Sequence, residues 1–131
     1  MTDFFIREAT LRTPRIELNP DTQTLLIEGE SYPEDVNRFY DPVFEALDHY
    51  FSQPRCKLRC TFNLSYFNSS SARQLLEVVN RLEAQVNKGH EIHVEWRCLS
   101  DDDIMQEFAE DIAEEVTTLP FHIRIIERDD T

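Results

Sequence analysis

The chain reads as an α/β protein: a two-layer sandwich in which a mixed, mostly parallel five-stranded sheet carries helices on one face only. Three observations predict this. Runs of two-residue alternation and runs of three- to four-residue recurrence follow one another in the order strand, strand, helix, strand, helix, strand, helix, strand. The later strands alternate apolar with polar residues, whereas parallel strands covered on both faces are continuously apolar, so only one face is covered. A helix separates each later strand from the next, which calls for right-handed crossovers that add strands in one direction. The expected sheet has a hairpin toward one edge and the Phe121 strand toward the other.

Each element has its own warrant. Residues 1–13 show no sustained period and are expected to form an N-terminal arm ordered only in part, with Thr10, Thr13 and Pro14 as loop residues. Arg15-Ile16-Glu17-Leu18 alternates as a short strand, Asn19-Pro20-Asp21 has turn chemistry, and Thr24 to Glu28 forms a second strand ended by Gly29. Ser31-Tyr32-Pro33-Glu34 fits a capping box, so a helix is expected to start at this point. Val36, Phe39, Tyr40, Val43, Phe44, Leu47, Tyr50 and Phe51 supply its apolar stripe, and Pro42 is expected to kink the helix or restart it at Asp41.

Leu58, Cys60, Phe62 and Leu64 alternate with polar neighbours and predict the third strand. Ala72, Leu75, Leu76, Val79, Leu82 and Val86 form the stripe of the second helix, with Gly89 as the residue just past its end. Ile92, Val94 and Trp96 predict the fourth strand, and Phe121, Ile123 and Ile125 the fifth. The third helix is expected over 101–116, its stripe being Ile104, Met105, Phe108 and Ile112, with Asp101, Asp102 and Asp103 facing the positive dipole end. Glu107, Glu110, Asp111, Glu114 and Glu115 give it an acidic, solvated outer side. The whole, residues 1–131, fits one domain with a short tail at 127–131.

Composition narrows the function. Against 13 Lys plus Arg stand 26 Asp plus Glu, a formal charge of −13. Nucleic acids and anionic membranes select basic surfaces, so neither is expected as a partner. The longest apolar run is far below a membrane span, and Met1-Thr2-Asp3-Phe4-Phe5-Ile6-Arg7 lacks the sections of a secretory signal, which makes the cytoplasm the default location. Cys56, Cys60 and Cys98 form no CxxC pair and read as reduced thiols. Cys56 and Cys60, four apart, are expected on one strand face as small apolar fillers.

Catalytic motifs are missing. No GxSxG elbow, P-loop, GxGxxG or HExxH occurs, and Gly29 and Gly89 are the only glycines, too few for a phosphate-cradling loop. A thiol enzyme pairing Cys60 or Cys98 with His90, His93 or His122 remains as an alternative of a different class. Glu91, His93 and Glu95 share the polar sheet face, which is more simply a wet surface than a metal site, and no cofactor is expected. On the same face Arg59, Thr61, His93, Glu95, Arg97 and Arg124 are placed to form a cross-strand charge network or an open docking surface.

The most informative segment is Tyr66-Phe67-Asn68-Ser69-Ser70-Ser71, where a strand turns into the second helix. The first turn of a helix has N–H groups without intrahelical acceptors, so oxygen ligands and anions are favoured there. Asn68 or a serine can cap it, which is the simplest account on chemistry alone. A phosphorylated serine there would add about −1.5 to −2 charge beside those amides.

Together, Gly29-Glu30-Ser31-Tyr32-Pro33-Glu34 before an aromatic-rich helix, the Tyr66–Ser71 junction and the strand through Trp96 resemble the SiaC family of bacterial regulatory phosphoproteins over roughly residues 15–126. The resemblance implies a fold similar to STAS domains, the anti-anti-sigma-factor fold, with phosphorylation at the start of the second helix. By position the acceptor is Ser69, with Ser70 and Ser71 as neighbouring alternatives. It further implies partner switching: a Ser/Thr kinase with a histidine-kinase-like fold, a PP2C-type phosphatase, and a GGDEF diguanylate cyclase that the unphosphorylated form binds and activates, controlling cyclic-di-GMP and biofilm formation. The alternative within that fold is an anti-anti-sigma protein that binds an anti-sigma kinase. Tyr32, Pro33, Glu34, Tyr66, Asn68 and Ser70 are the expected partner contacts, their local roles being capping and turn formation. The phosphate is expected to rest on free amides of residues 70–73.

Overall fold

The computed structural model describes residues 4–128, and within them six strands form one sheet whose spatial order is the sequence order. β1 (Phe5–Arg7), β2 (Arg15–Asn19) and β3 (Thr24–Ser31) pair antiparallel, while β4 (Lys57–Phe67), β5 (Glu91–Leu99) and β6 (Phe121–Ile126) continue parallel to β3. Three helices fill the parallel crossovers: α1 (Val36–Tyr50), α2 (Ser69–Asn87) and α3 (Asp103–Glu115). The mixed sheet with parallel crossovers is the architecture expected, with six strands instead of five. The extra strand is β1, drawn from the N-terminal arm by pairing Phe5 with Leu18 and Arg7 with Ile16. Three residues are too few to display a period, so only the partner strand reveals them.

The inner face holds the core. Ile16, Leu25, Ile27, Leu58, Phe62, Ile92 and Trp96 point inward from the strands against Tyr40, Val43 and Leu47 of α1, Leu75, Val79 and Leu82 of α2, and Met105 and Ile112 of α3. Trp96 stacks on Phe62 with ring centroids 4.6 Å apart. The outer face stays polar, which explains the strict alternation of β4 and β5.

Several helix expectations change. The capping box does not form: Ser31 ends β3 and is buried, Pro33 lies in the loop, and Asp35 caps α1 by accepting from the Arg38 amide at 3.1 Å. Pro42 lies inside α1, which does not restart at Asp41. An interior proline costs about 3 kcal/mol, and burial of the flanking Val43, Phe44 and Leu47 offsets it. Asp102 caps α3 through the Met105 amide, leaving Asp103 as the acid of the first turn and Asp101 before the helix. Ile104 leaves the expected stripe: it is 84% exposed, and Ala109 is buried in its stead. Cys56 precedes β4 and shares no strand face with Cys60.

Candidate functional site at the carboxyl edge of the sheet

Because β3, β4 and β5 run parallel, the loops leaving their carboxyl ends gather at one edge of the sheet. Open α/β sheets place their functional groups along this edge. The β3–α1 and β4–α2 connections are joined there by the Asn68 amide, which donates to the Ser31 carbonyl at 3.2 Å, and the β1–β2 connection is added by the Tyr32 amide, which donates to the Arg12 carbonyl at 2.7 Å. Arg12 also pairs with Glu34 at 2.8 Å, an exposed ion pair that contributes little.

A bulge shapes the site. Gly29 pairs with Leu64 and Glu30 with Tyr66, so Ser65 is the extra residue and the alternation of β4 reverses there. Continued alternation from Phe62 and Leu64 would bury Tyr66. The reversal leaves it 51% exposed and turns Phe67 toward Phe108, their centroids 4.7 Å apart. Tyr66 meets Tyr32 edge to face at 5.7 Å. Gly29 adopts φ +122° at this bulge, a conformation closed to side-chain-bearing residues.

Asn68 caps α2. Its Oδ1 accepts from the Ser71 amide at 3.0 Å and its carbonyl accepts from the Ala72 amide at 2.9 Å. The amides available to an anion are therefore those of Ser69 and Ser70, which lack an acceptor among the described residues, and not the full set 70–73. The side chains divide the same way: Ser69 and Ser70 are exposed, whereas Ser71 is fully buried.

Burial of Ser71 belongs to a feature that pattern reading missed. Ser31 Oγ donates to Ser71 Oγ at 2.8 Å and meets the Tyr40 hydroxyl at 2.6 Å, joining β3, α1 and α2 beneath the exposed serines. With the Ser31 proton directed to Ser71, Tyr40 is the donor in the second bond. Burial pushes the Tyr40 hydroxyl up to about 12, outweighing the opposite effect of its hydrogen bond with Ser31, so it keeps its proton. The signals were present: Ser31 has the inward parity of Leu25 and Ile27, and Ser71 lies four residues before Leu75 on its stripe.

Tyr32, Pro33, Glu34, Tyr66, Asn68, Ser69 and Ser70 thus share one edge, with Tyr32, Pro33 and Asn68 half-buried and the other four exposed. Gln74 donates to Asn37 at 3.0 Å and ties α2 to α1 just behind it. A model of the SiaC family of regulatory phosphoproteins matches residues 7–126. The chain belongs to the SiaC family. Its fold is that of apo-SiaC from Pseudomonas aeruginosa, at TM-score 0.85 and 24% identity over 93% of this chain and 98% of that one. A chain in the crystal structure of diguanylate cyclase SiaD in complex with its activator SiaC, from the same organism, matches at TM-score 0.87 and 23% identity over 93% and 99%. An uncharacterized protein of Pseudomonas aeruginosa strain UCBPP-PA14 is 25% identical over 124 residues, 95% of this chain and 97% of the relative. Membership in the SiaC family makes this chain a regulatory phosphoprotein and not an enzyme.

The thiols agree with that role. Cys60 and Cys98 are buried; burial drives the Cys60 thiol far above its ordinary value and, with help from Asp102 and Glu110, pushes Cys98 up to about 11. His93 and His122 stand on the opposite, open face, and His90 Nδ1 accepts from the Cys56 amide at 2.9 Å. Among the described residues the buried Cys60 and Cys98 thus face away from His93 and His122, which leaves those pairs without the geometry for an activated thiolate.

Proposed function

We propose that this chain is a phosphorylation-controlled activator of a diguanylate cyclase, with Ser69 as the acceptor. The observation that carries the reading is the contrast within one helical turn: Ser69 is exposed at the first position of α2 beside two unclaimed amides, while Ser71 is sealed in the core. In the forward step a kinase moves the γ-phosphoryl of ATP to Ser69 Oγ; the O–P bond forms, ADP leaves and the hydroxyl proton is lost. A phosphatase returns the hydroxyl by hydrolysis and releases inorganic phosphate. Both enzymes are partners in this reading, the kinase of histidine-kinase-like fold and the phosphatase of the PP2C type.

Family membership and the fold shared with a SiaC solved on a diguanylate cyclase support the cyclase as effector. The unphosphorylated edge, with Tyr32, Pro33, Glu34, Tyr66, Asn68 and Ser70 around Ser69, is the docking surface. A dianion there faces the amides of Ser69 and Ser70, which favour it, so the domain itself need not rearrange. The docked partner must then desolvate that charge, at a cost of several kcal/mol unless a cation answers it. Binding falls by orders of magnitude while the fold is preserved.

Incubation with the kinase, followed by intact mass and peptide mapping, tests the acceptor: Ser69→Ala is expected to abolish the modification. Titration of the cyclase tests the switch, with Ser69→Glu expected to lose activation and Ser69→Ala to keep it. Modification of Ser69→Ala at another residue, with partner control intact, refutes Ser69. Capture of an anti-sigma kinase in place of a cyclase refutes the effector.

A further inference from the structure

The open face of the sheet is acidic on β2 and β3, where Glu17 and Glu28 face outward, and more basic on the parallel strands beyond. On β4, β5 and β6 it carries Lys57, Arg59, Arg97 and Arg124 against Glu91 and Glu95, an excess of cations in a chain whose formal charge is −13. Glu95 is already engaged: it accepts from Arg97 at 2.6 Å and meets Arg124 at 3.8 Å, and these arginines hold its carboxyl below the usual carboxylate range. The Arg59 amide donates to the Gln23 carbonyl at 2.9 Å, but its guanidinium has no ion-pair or hydrogen-bond partner among the described residues, and Thr61 and His93 lie beside it.

These side chains surround a concavity. A groove of about 420 Å³ is lined by Thr24, Arg59, Thr61, His93, Arg97 and His122, together with Glu95. A second groove of about 440 Å³ adjoins it and shares Arg59 and His93, with Lys57 and Glu91 also in its lining, Glu91 lying 3.8 Å from His93. Each is the size of a small-molecule site. Guanidinium forks match phosphate oxygens, hydroxyls add neutral hydrogen bonds, and arginine and imidazole planes stack on a base. We propose that this face binds a phosphate-bearing anion of nucleotide size, its phosphates at Arg59 and Arg97 and its base along His93 and His122.

The site is on the opposite layer from the core helices and is independent of Ser69, so it stands apart from the switch described above. Calorimetric titration of the full chain with GTP at low salt tests it, GTP serving as a nucleotide probe. Saturable one-to-one binding is expected, screened by salt, weakened about tenfold or more by Arg59→Gln and unchanged by Lys88→Gln. Arg59 is exposed and unpaired, so its replacement leaves the fold intact. Absence of saturable binding, full affinity in Arg59→Gln, or equal affinity for a hexaglutamate peptide overturns the proposal.

Discussion

Replacing Ser31 with alanine removes the middle hydroxyl of the buried chain that joins Tyr40 to Ser71. All three residues are fully buried, so water cannot replace the lost partners. A buried polar group left without a partner costs about 1–3 kcal/mol. Ser31→Ala strands the Tyr40 hydroxyl and deprives Ser71 of a donor, so the expected loss is about 2–4 kcal/mol. Tyr40→Phe leaves Ser31 still donating to Ser71 and is expected to cost about 1 kcal/mol. In a triple variant with Ser71→Ala, no hydroxyl remains to be desolvated, and the total falls at least about 1 kcal/mol short of the sum of the single losses. Urea unfolding, followed by fluorescence of Trp96, the one tryptophan in the chain, measures each value; an unchanged slope marks an intact native state. A Ser31→Ala loss below about 0.5 kcal/mol, or additivity of the three changes, refutes the reasoning.

Other expectations follow from single contacts. Glu83 reaches from α2 to the α3–β6 loop, where one carboxylate oxygen accepts from the Thr117 and Thr118 amides at 2.8 Å and the Leu119 amide at 3.1 Å. Burial opposes its charge, but those amides and the Thr118 hydroxyl outweigh it and hold the carboxyl below the usual range. Its contribution is therefore present above the unfolded carboxylate value of about 4.3 and lost as pH falls through the folded one; Glu83→Gln is expected to flatten that acid limb in urea titrations run across pH. His90 is lowered by burial and by Lys88, so stability is lost as pH falls below the unfolded value of about 6.5; His90→Gln is expected to remove this dependence, again read from unfolding midpoints. Gly29→Ala forces a side chain into φ +122° and is expected to cost about 1–3 kcal/mol, seen as a lower Tm.

Long periodic segments were legible because burial on one face leaves a period. Leu58 to Leu64 and Ile92 to Trp96 alternate in sequence and in burial, and the stripe through Leu75, Val79 and Leu82 packs as expected. Failures cluster where a local motif competes with tertiary position. Ser31-Tyr32-Pro33-Glu34 satisfies the capping pattern, yet strand pairing of Ser31 with Phe67 pulls the chain on and transfers the cap to Asp35. Ile104 has the spacing of a core residue but lies on the solvent side of α3. At the candidate site the helix mouth, Asn68 and the serines were readable. The inequivalence of Ser69 and Ser71 was not.

The sequence alone determined the order of elements, the single covered face and the serine-rich helix start, because hydrophobic period and capping chemistry act over neighbouring residues. Only the tertiary structure decided which serine is exposed, that the Ser65 bulge turns Tyr66 outward, and that β1 joins the sheet. Each of these depends on a partner distant in sequence: Ser71 on Ser31, the bulge on the Gly29 register, and Phe5 on Leu18. A local pattern carries no record of such pairings; they exist only once the strands are side by side.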